Sequence, residues 1–299
     1  MAQHPPNPHA TTLTADPAVG VNYASLYGWS DPFGEPTPVT RRTDPELKEA
    51  APATERPIAV VTGASSGIGA ATARSLAQLG YHVILAARRV DKLNALAAEI
   101  RGVPVACDAT DPAQVAHLAE VAGKTVNVLV NNAGGALGQD PLERTDLDLY
   151  EQMYQRNVMT AARVTQALLP AIRRAAGTIV FVTSVAADAP YEGGAGYCGA
   201  KAAERALVRS LRLELNGEPI RVVDISPGLV HTDEFSLTRF AGDQARADAV
   251  YAGVPNPLTA EDIADAITWM VTRPPHVNID HLEIRPVAQA ANHKVFRQR

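Results

Sequence analysis

The chain has 299 residues, 46% of them apolar and 20% charged, with a formal net charge of −5, the composition of one large soluble domain or two small ones. A pI near 5.9 argues against a nucleic-acid binder, and only two cysteines, Cys107 and Cys198, exclude a disulfide framework and suit a reducing compartment. No apolar run reaches the roughly 18 residues of a membrane span. The N-terminus lacks both an apolar signal core and the basic composition of a transit peptide, so a cytoplasmic location is expected.

Residues 1–56 carry nine prolines and sustain no helical or strand period. Proline fixes φ and removes a donor, so an irregular or disordered extension is expected there. Its stretch of Tyr23, Leu26, Tyr27, Trp29 and Phe33 belongs either to such a tail or to an arm packed on the body or on a neighbouring subunit. From Pro57 the pattern changes. Ile58–Val61 is a short apolar run between Pro and Gly, as a strand buried on both faces requires. A glycine-rich turn follows, then a helix over about 68–79 closed by Gly80. The unit then repeats. Further strands are predicted at 83–87, 103–107, 126–130, 178–183, 220–225 and 279–284. Further helices are predicted at 91–100 (capped by Asp91), 111–121 (opening with Asp-Pro), about 147–176, about 195–215 and 260–272. Strands alternating with helices define an α/β fold, a doubly wound parallel sheet of the Rossmann type. One domain over 57–292 is expected, with a tail at 293–299.

The first strand runs into Thr62-Gly63-Ala64-Ser65-Ser66-Gly67-Ile68-Gly69. Glycines let the backbone turn tightly and approach a pyrophosphate, and the helix behind, opening near Gly67 and Ile68, offers free N–H groups and the positive end of its dipole. Ser65 and Ser66 add hydroxyl donors. A plain strand–helix turn is the alternative, but the position after a first buried strand favours phosphate binding. The second strand ends Ala86-Ala87-Arg88-Arg89, where an NAD-binding unit carries an acidic residue for the ribose hydroxyls. Arg88 and Arg89 suit a 2′-phosphate instead, so NADP(H) is the expected cofactor; a solvated arginine pair is the alternative. Asp108 ends the third strand, placed to accept from the adenine amino group. Asn131, Asn132, Ala133 and Gly134 end the fourth at the carboxyl edge, and Gly134 and Gly135 let that loop approach the adenosine side.

Tyr197 and Lys201 are four residues apart and share one helix face. Alone such a pair is common and structural. Here Ser184 ends a strand thirteen residues before Tyr197 and faces the same crevice. Thr62–Gly69, Asn131–Gly134, Asn157, Ser184, Tyr197, Lys201 and Pro227-Gly228, in this order, together resemble the short-chain dehydrogenases/reductases over about residues 57–292. The resemblance implies that Tyr197 is the general acid in reduction and the base in oxidation. A free phenol titrates near pH 10, and the Lys201 ammonium and the nicotinamide charge favour its phenolate. Lys201 also holds the nicotinamide ribose. Ser184 bonds the substrate oxygen and stabilises its developing charge. Asn157 anchors a water that links Lys201 to solvent, and Pro227, Gly228, Val230 and Thr232 cover the nicotinamide. Hydride passes directly, so no metal is implied, and the histidines show no metal-ligand clustering. Enzymes of this kind assemble through the helix bearing Tyr197 and through the last strand, so a homotetramer or dimer is expected.

The C-terminal part is similar to one branch, the bacterial NADP-dependent 3-hydroxy acid dehydrogenases, which include serine and allo-threonine dehydrogenases. The similar stretches are Pro227–Val230, Asp233–Phe235, Arg239–Asp243, Pro257–Ile263, His276–Ile279, Leu282–Ile284 and Pro286-Val287. His231-Thr232 departs from the small pair of that branch, and the N-terminal extension is additional. The implied substrate is a short 3-hydroxy acid. The alternatives are an aldehyde or ketone reductase of secondary metabolism and a non-catalytic NADP(H) sensor, the latter opposed by the presence of Asn157, Ser184, Tyr197 and Lys201 together. In the lid after the sixth strand, Arg239 either clamps a carboxylate or forms a lid salt bridge. His231 lies on the surface or lines the pocket, and Trp269 is expected in the core.

Overall fold

The computed structural model describes residues 56–232 and 234–298; the proline-rich extension with its aromatic stretch, and Asp233, lie outside the described residues. The strands are β1 (Ile58–Thr62), β2 (His82–Ala87), β3 (Val103–Ala106), β4 (Val128–Asn131), β5 (Thr178–Val182), β6 (Arg221–Pro227) and β7 (Leu282–Ile284). The helices are α1 (Gly67–Gln78), α2 (Val90–Ile100), α3 (Pro112–Ala122), α4 (Asp148–Tyr154), α5 (Thr160–Ala175), α6 (Ala195–Glu214), α7 (Phe235–Arg239), α8 (Gln244–Tyr251) and α9 (Ala260–Val271).

All seven strands are parallel, in the order β3-β2-β1-β4-β5-β6-β7, so the doubly wound sheet is as expected. Side chains alternate across each strand. Ala59 and Val61 of β1 pack toward α1, α2 and α9, and Val60 packs toward α3, α5 and α6. Both faces are therefore dry, which is why these strands read as unbroken apolar runs. Fully buried anchors such as Leu76, Leu118 and Ile267 each stabilise the fold by about 1.5–3 kcal/mol relative to exposure. β1 pairs with β2 on one side and β4 on the other. The winding reverses between them, so the connections leaving β1 and β4 diverge and open a crevice at the carboxyl edge.

Several local expectations shift. The long helical region at 147–176 is two helices joined by a π-helical turn, Gln155–Met159, a feature that tends to mark functional sites. Asp91 does not cap α2; Arg89 is the N-cap, and Asp91 sits in the first turn, where its charge complements the helix dipole. Asp111 does cap α3, accepting from the Ala113 N–H at 2.8 Å, with proline at the first helical position. Trp269 is 44% exposed rather than in the core. The buried stripe of α9 is Ile263, Ile267 and Met270, and Trp269 falls on the other side, under the Arg273 guanidinium at 4.9 Å. The last sheet strand narrows to residues 282–284. Beyond it the chain stays ordered: β8 (Gln289–Ala291) pairs antiparallel with β9 (Lys294–Val295), and the Gln298 N–H donates to the Gly253 carbonyl at 2.6 Å.

α9 opens with a reciprocal capping box between Thr259 and Asp262. Thr259→Ala is expected to lower stability by about 1 kcal/mol, read as a shifted urea midpoint with unchanged slope.

Candidate active site

The β1–α1 turn is built on glycine where only glycine fits. Gly63 has φ +65°, and a Cβ at Gly69 would lie 2.4 Å from the Gly63 carbonyl and 2.5 Å from Asn132 Nδ2. Thr62, which sequence reading did not single out, ties this turn to the end of β4. Its hydroxyl donates to the Val130 carbonyl at 3.2 Å and accepts from the N–H groups of Asn132 and Ala133, both at 3.0 Å. Asn132 returns the contact through Nδ2 to the Thr62 carbonyl at 3.0 Å. The Ser66 N-cap makes no side-chain cap bond, leaving the first turn of α1 for a ligand.

Arg89 lies against this turn. Its Nη2 donates to Ser65 Oγ and Ser66 Oγ, each at 2.7 Å, and it pairs with Glu234, as does Lys92. Burial disfavours the Glu234 carboxylate, but Lys92, Ser66 and Arg89 together hold its carboxyl down at about 2. The spot therefore accommodates an anion. Arg88, beside it, is exposed. Asp108 accepts from Thr110 N and Oγ1 at 3.0 and 2.7 Å. The glycine turn, the free helix end and the cationic corner fit a dinucleotide carrying an anion on its adenosine ribose.

A crevice of about 1370 Å³ runs from this corner past the carboxyl ends of β4, β5 and β6. The expected residues that line it are Gly63, Ser65 to Ile68, Arg88, Arg89, Asp108, Asn132 to Gly134, Ser184, Tyr197, Lys201, Pro227, Gly228, Val230 and Thr232; Asn131 and Asn157 do not. Ser184 caps a short 3₁₀ turn, its Oγ accepting from the Ala186 N–H at 3.1 Å. The hydroxyl proton remains free to donate. Tyr197 is 8% exposed, its ring edge-on to Phe235 at 6.0 Å. Lys201 is buried; Nζ donates to the Val182 carbonyl at 3.0 Å and to Glu204 Oε2 at 2.7 Å.

Asn157 sits behind the crevice wall, in the π turn. Its Oδ1 accepts from the Gly135 N–H at 3.0 Å, and Nδ2 donates to the Gly135 and Met153 carbonyls at 3.0 and 2.7 Å. It holds the β4 loop against the π turn. A Cβ at Gly134 would meet Asn157 Oδ1 at 2.4 Å.

Arg239 also lines the crevice, and its Nε donates to the Gly138 carbonyl at 3.0 Å. Its guanidinium lies 5.3 Å from the Tyr191 ring centre, and Nη2 is buried without a partner. Among the described residues it makes no lid salt bridge. Burial pushes the Tyr191 phenol up to about 12, with Arg239 pulling the other way, so Tyr191 stays neutral. His231 is exposed, its ring centre 4.3 Å from that of Tyr251 with the two rings tilted by 56°. One histidine does join a potential ligand group: Asp188, His281 and Glu283 have ligand atoms within 4.8 Å of one another. Each is already paired, with Arg205, Asp224 and Arg285 respectively.

The parallel sheet, the glycine turn at its switch point and a Ser, Tyr and Lys converging on one crevice define a dinucleotide-binding oxidoreductase domain. Residues 57–239 match the short chain dehydrogenase family, and the chain belongs to it. It is 54% identical over 239 residues to an uncharacterized oxidoreductase of Mycobacterium tuberculosis, covering 80% of this chain and 94% of the other. It is 40% identical over 245 residues to a serine 3-dehydrogenase of Agrobacterium fabrum, covering 80% of this chain and 98% of the other. Among solved structures, the closed form of a serine dehydrogenase complexed with NADP+ superposes with a TM-score of 0.75 at 36% identity, covering 81% of this chain and all of the other. Among the described residues no helix is long and apolar enough to cross a membrane.

Proposed function

We propose that this oxidoreductase uses NADP(H) to interconvert a short 3-hydroxy acid and its keto acid. The observation that carries the substrate reading is Arg239, a cation without a carboxylate partner among the described residues, in the same crevice as Ser184, Tyr197 and Lys201. A buried guanidinium donor left unpaired costs free energy, and a substrate carboxylate is the partner that its planar fork matches. The similarity to serine dehydrogenases supports the same class.

Bound NADP(H) supplies the hydride donor or acceptor. The glycine turn and the α1 N-terminus hold its pyrophosphate, Arg89 and Arg88 its 2′-phosphate, and Asp108 and Asn132 to Gly134 line the adenosine side. The segment from Pro227 through Gly228 and Val230 to Thr232 covers the nicotinamide side and excludes water. Ser184 donates its free hydroxyl proton to the substrate oxygen and stabilises charge there. Tyr197 gives that oxygen its proton in reduction and takes it in oxidation. Lys201, on the same face of α6 as Tyr197, holds the nicotinamide ribose. Asn157 keeps the β4 loop and the π turn in register, where an anchored water links Lys201 to solvent. The same family reading makes the protein a cytoplasmic homo-oligomer.

The test is a spectrophotometric assay of purified protein with NADP+ or NAD+ and a panel of short 3-hydroxy acids, including L-serine and L-allo-threonine. Turnover with NADP+ and a hydroxy acid is expected. Turnover confined to neutral alcohols, aldehydes and ketones would move the assignment to a carbonyl reductase. Arg239→Met is expected to raise KM for hydroxy acids about 10- to 100-fold, the worth of one hydrogen bond to a charged group, and to leave KM for neutral alcohols nearly unchanged.

A further inference from the structure

The most unusual feature beside the reactive residues is a second buried charge. Glu204 lies on α6, three residues after Lys201, and is 1% exposed. The buried face of this helix carries Tyr197, Lys201, Glu204, Arg205 and Val208. A carboxylate taken out of water there costs several kcal/mol unless it is paired. Among the described residues its ion-pair partner is Lys201, at 2.7 Å, and the lysine side chain is itself only 5% exposed.

We infer that Glu204 is a positioning residue of the active site, whose carboxylate holds the Lys201 ammonium in its charged form and in its aim at the crevice although both groups are buried. An ammonium has three donors. Two are committed, to the Val182 carbonyl and to Glu204, on two different elements. That leaves one N–H for the crevice and removes the rotational freedom that a lysine otherwise keeps. The inference rests on the reading of Lys201 as the cation that faces cofactor and Tyr197.

The electrostatics at Lys201 agree in sign, and although burial pushes the Glu204 carboxyl up to about 7 against the pull of Lys201, it is a carboxylate in the alkaline range where an ammonium titrates. Burial by itself drives an ammonium toward its neutral form. At Lys201 that pull is outweighed by Glu204, with help from Tyr197 and Asp224, and the ammonium holds its proton above the ordinary lysine value. The surroundings offer no substitute of equal reach. Asp224 on β6 is taken up by Arg205 at 3.0 Å and by His281 at 3.1 Å, and Asp188 also pairs with Arg205. The π turn packed against α6 buries only neutral Asn157 and Val158, α4 buries Met153, and β5 and the 3₁₀ turn after it carry no charged residue. Glu204 is thus the main counterweight to burial at Lys201.

The test reads Lys201 directly. The chain has five lysines, few enough for the side-chain ¹³Cε signal of Lys201 to be assigned by its loss in Lys201→Arg and followed against pH in the full-length protein, with and without NADP+. In the wild type the signal should keep its ammonium shift beyond the ordinary lysine range. In Glu204→Gln it should titrate at least about one pH unit lower, and the turnover–pH profile should gain a matching loss at its alkaline end. Glu204→Asp, whose carboxylate retreats by one methylene, should move part of the way and decides the matter if the glutamine variant fails to fold. A Lys201 signal that titrates alike in wild type and variants would overturn the inference, whatever happens to thermal stability. Wild-type protein with the Lys201 shift but no turnover on any alcohol or carbonyl would instead sink the proposed reaction and leave the pairing standing.

Discussion

Tyr197→Phe is expected to reduce turnover by about 10²–10⁴-fold, the usual worth of a placed general acid or base, while NADPH binding stays near the wild-type value. The substitution removes one oxygen and keeps the ring. Packing against Phe235, edge-on at 6.0 Å, and burial on the inner face of α6 therefore survive, and the Tm should barely move. The loss falls on the proton transfer alone, because Ser184 and Lys201 keep their own backbone anchors, Ala186 N and Val182 O. Steady-state rates alongside the quenching of protein fluorescence by NADPH separate the two effects. Retained turnover would remove Tyr197 from the mechanism; lost cofactor binding would mean that it has a structural role in the cofactor site.

The second large effect concerns cofactor choice. Arg88→Ala with Arg89→Ser is expected to weaken NADPH binding by about 100-fold or more while NADH binding changes little. Each hydrogen bond from a charged donor to a phosphate is worth about 1.5–3 kcal/mol, and each 1.4 kcal/mol is about tenfold. Both arginines are exposed, but Arg89 should contribute the larger share, because Ser65 and Ser66 already hold its fork at the glycine turn, whereas Arg88 must be ordered on binding, which costs entropy. Glu234 competes for the same guanidinium and for Lys92, so Glu234→Gln should tighten NADPH binding. Titrations with both cofactors at two salt concentrations check this. Equal losses for NADPH and NADH would place the arginines at the shared pyrophosphate instead of the 2′ position.

The alternation of strands and helices was legible because each element carries its own period, and the glycine turn because a tight turn leaves few residue types to choose from. The Tyr197–Lys201 spacing was legible because helix geometry alone puts both on one face. The failures were of another kind. Asp91 had the composition of a cap, yet the helix begins one residue earlier, with Arg89 at the N-cap and Asp91 in the first turn. Trp269 had an apolar setting, but the phase of α9 against the sheet turns it outward. Thr62 was passed over because its partners lie 68 to 71 residues away.

Glu204 shows where the boundary lies. Its spacing from Lys201 is written in the sequence, and a glutamate within the stripe of Tyr197, Lys201 and Val208 was a signal that could have been read. Most glutamates three residues from a lysine are solvated, and only the docking of α6 against the sheet makes this pair dry. Local geometry, turn chemistry and helix spacing are properties of neighbouring residues, and the sequence by itself determined them: the fold class, the glycine turn and the shared helix face of Tyr197 and Lys201. Burial, and the ion pairs of Arg89 with Glu234 and of Lys201 with Glu204, depend on which surfaces exclude water together. Only the tertiary structure decided those, because desolvation is a property of the assembled layers and not of any segment within them.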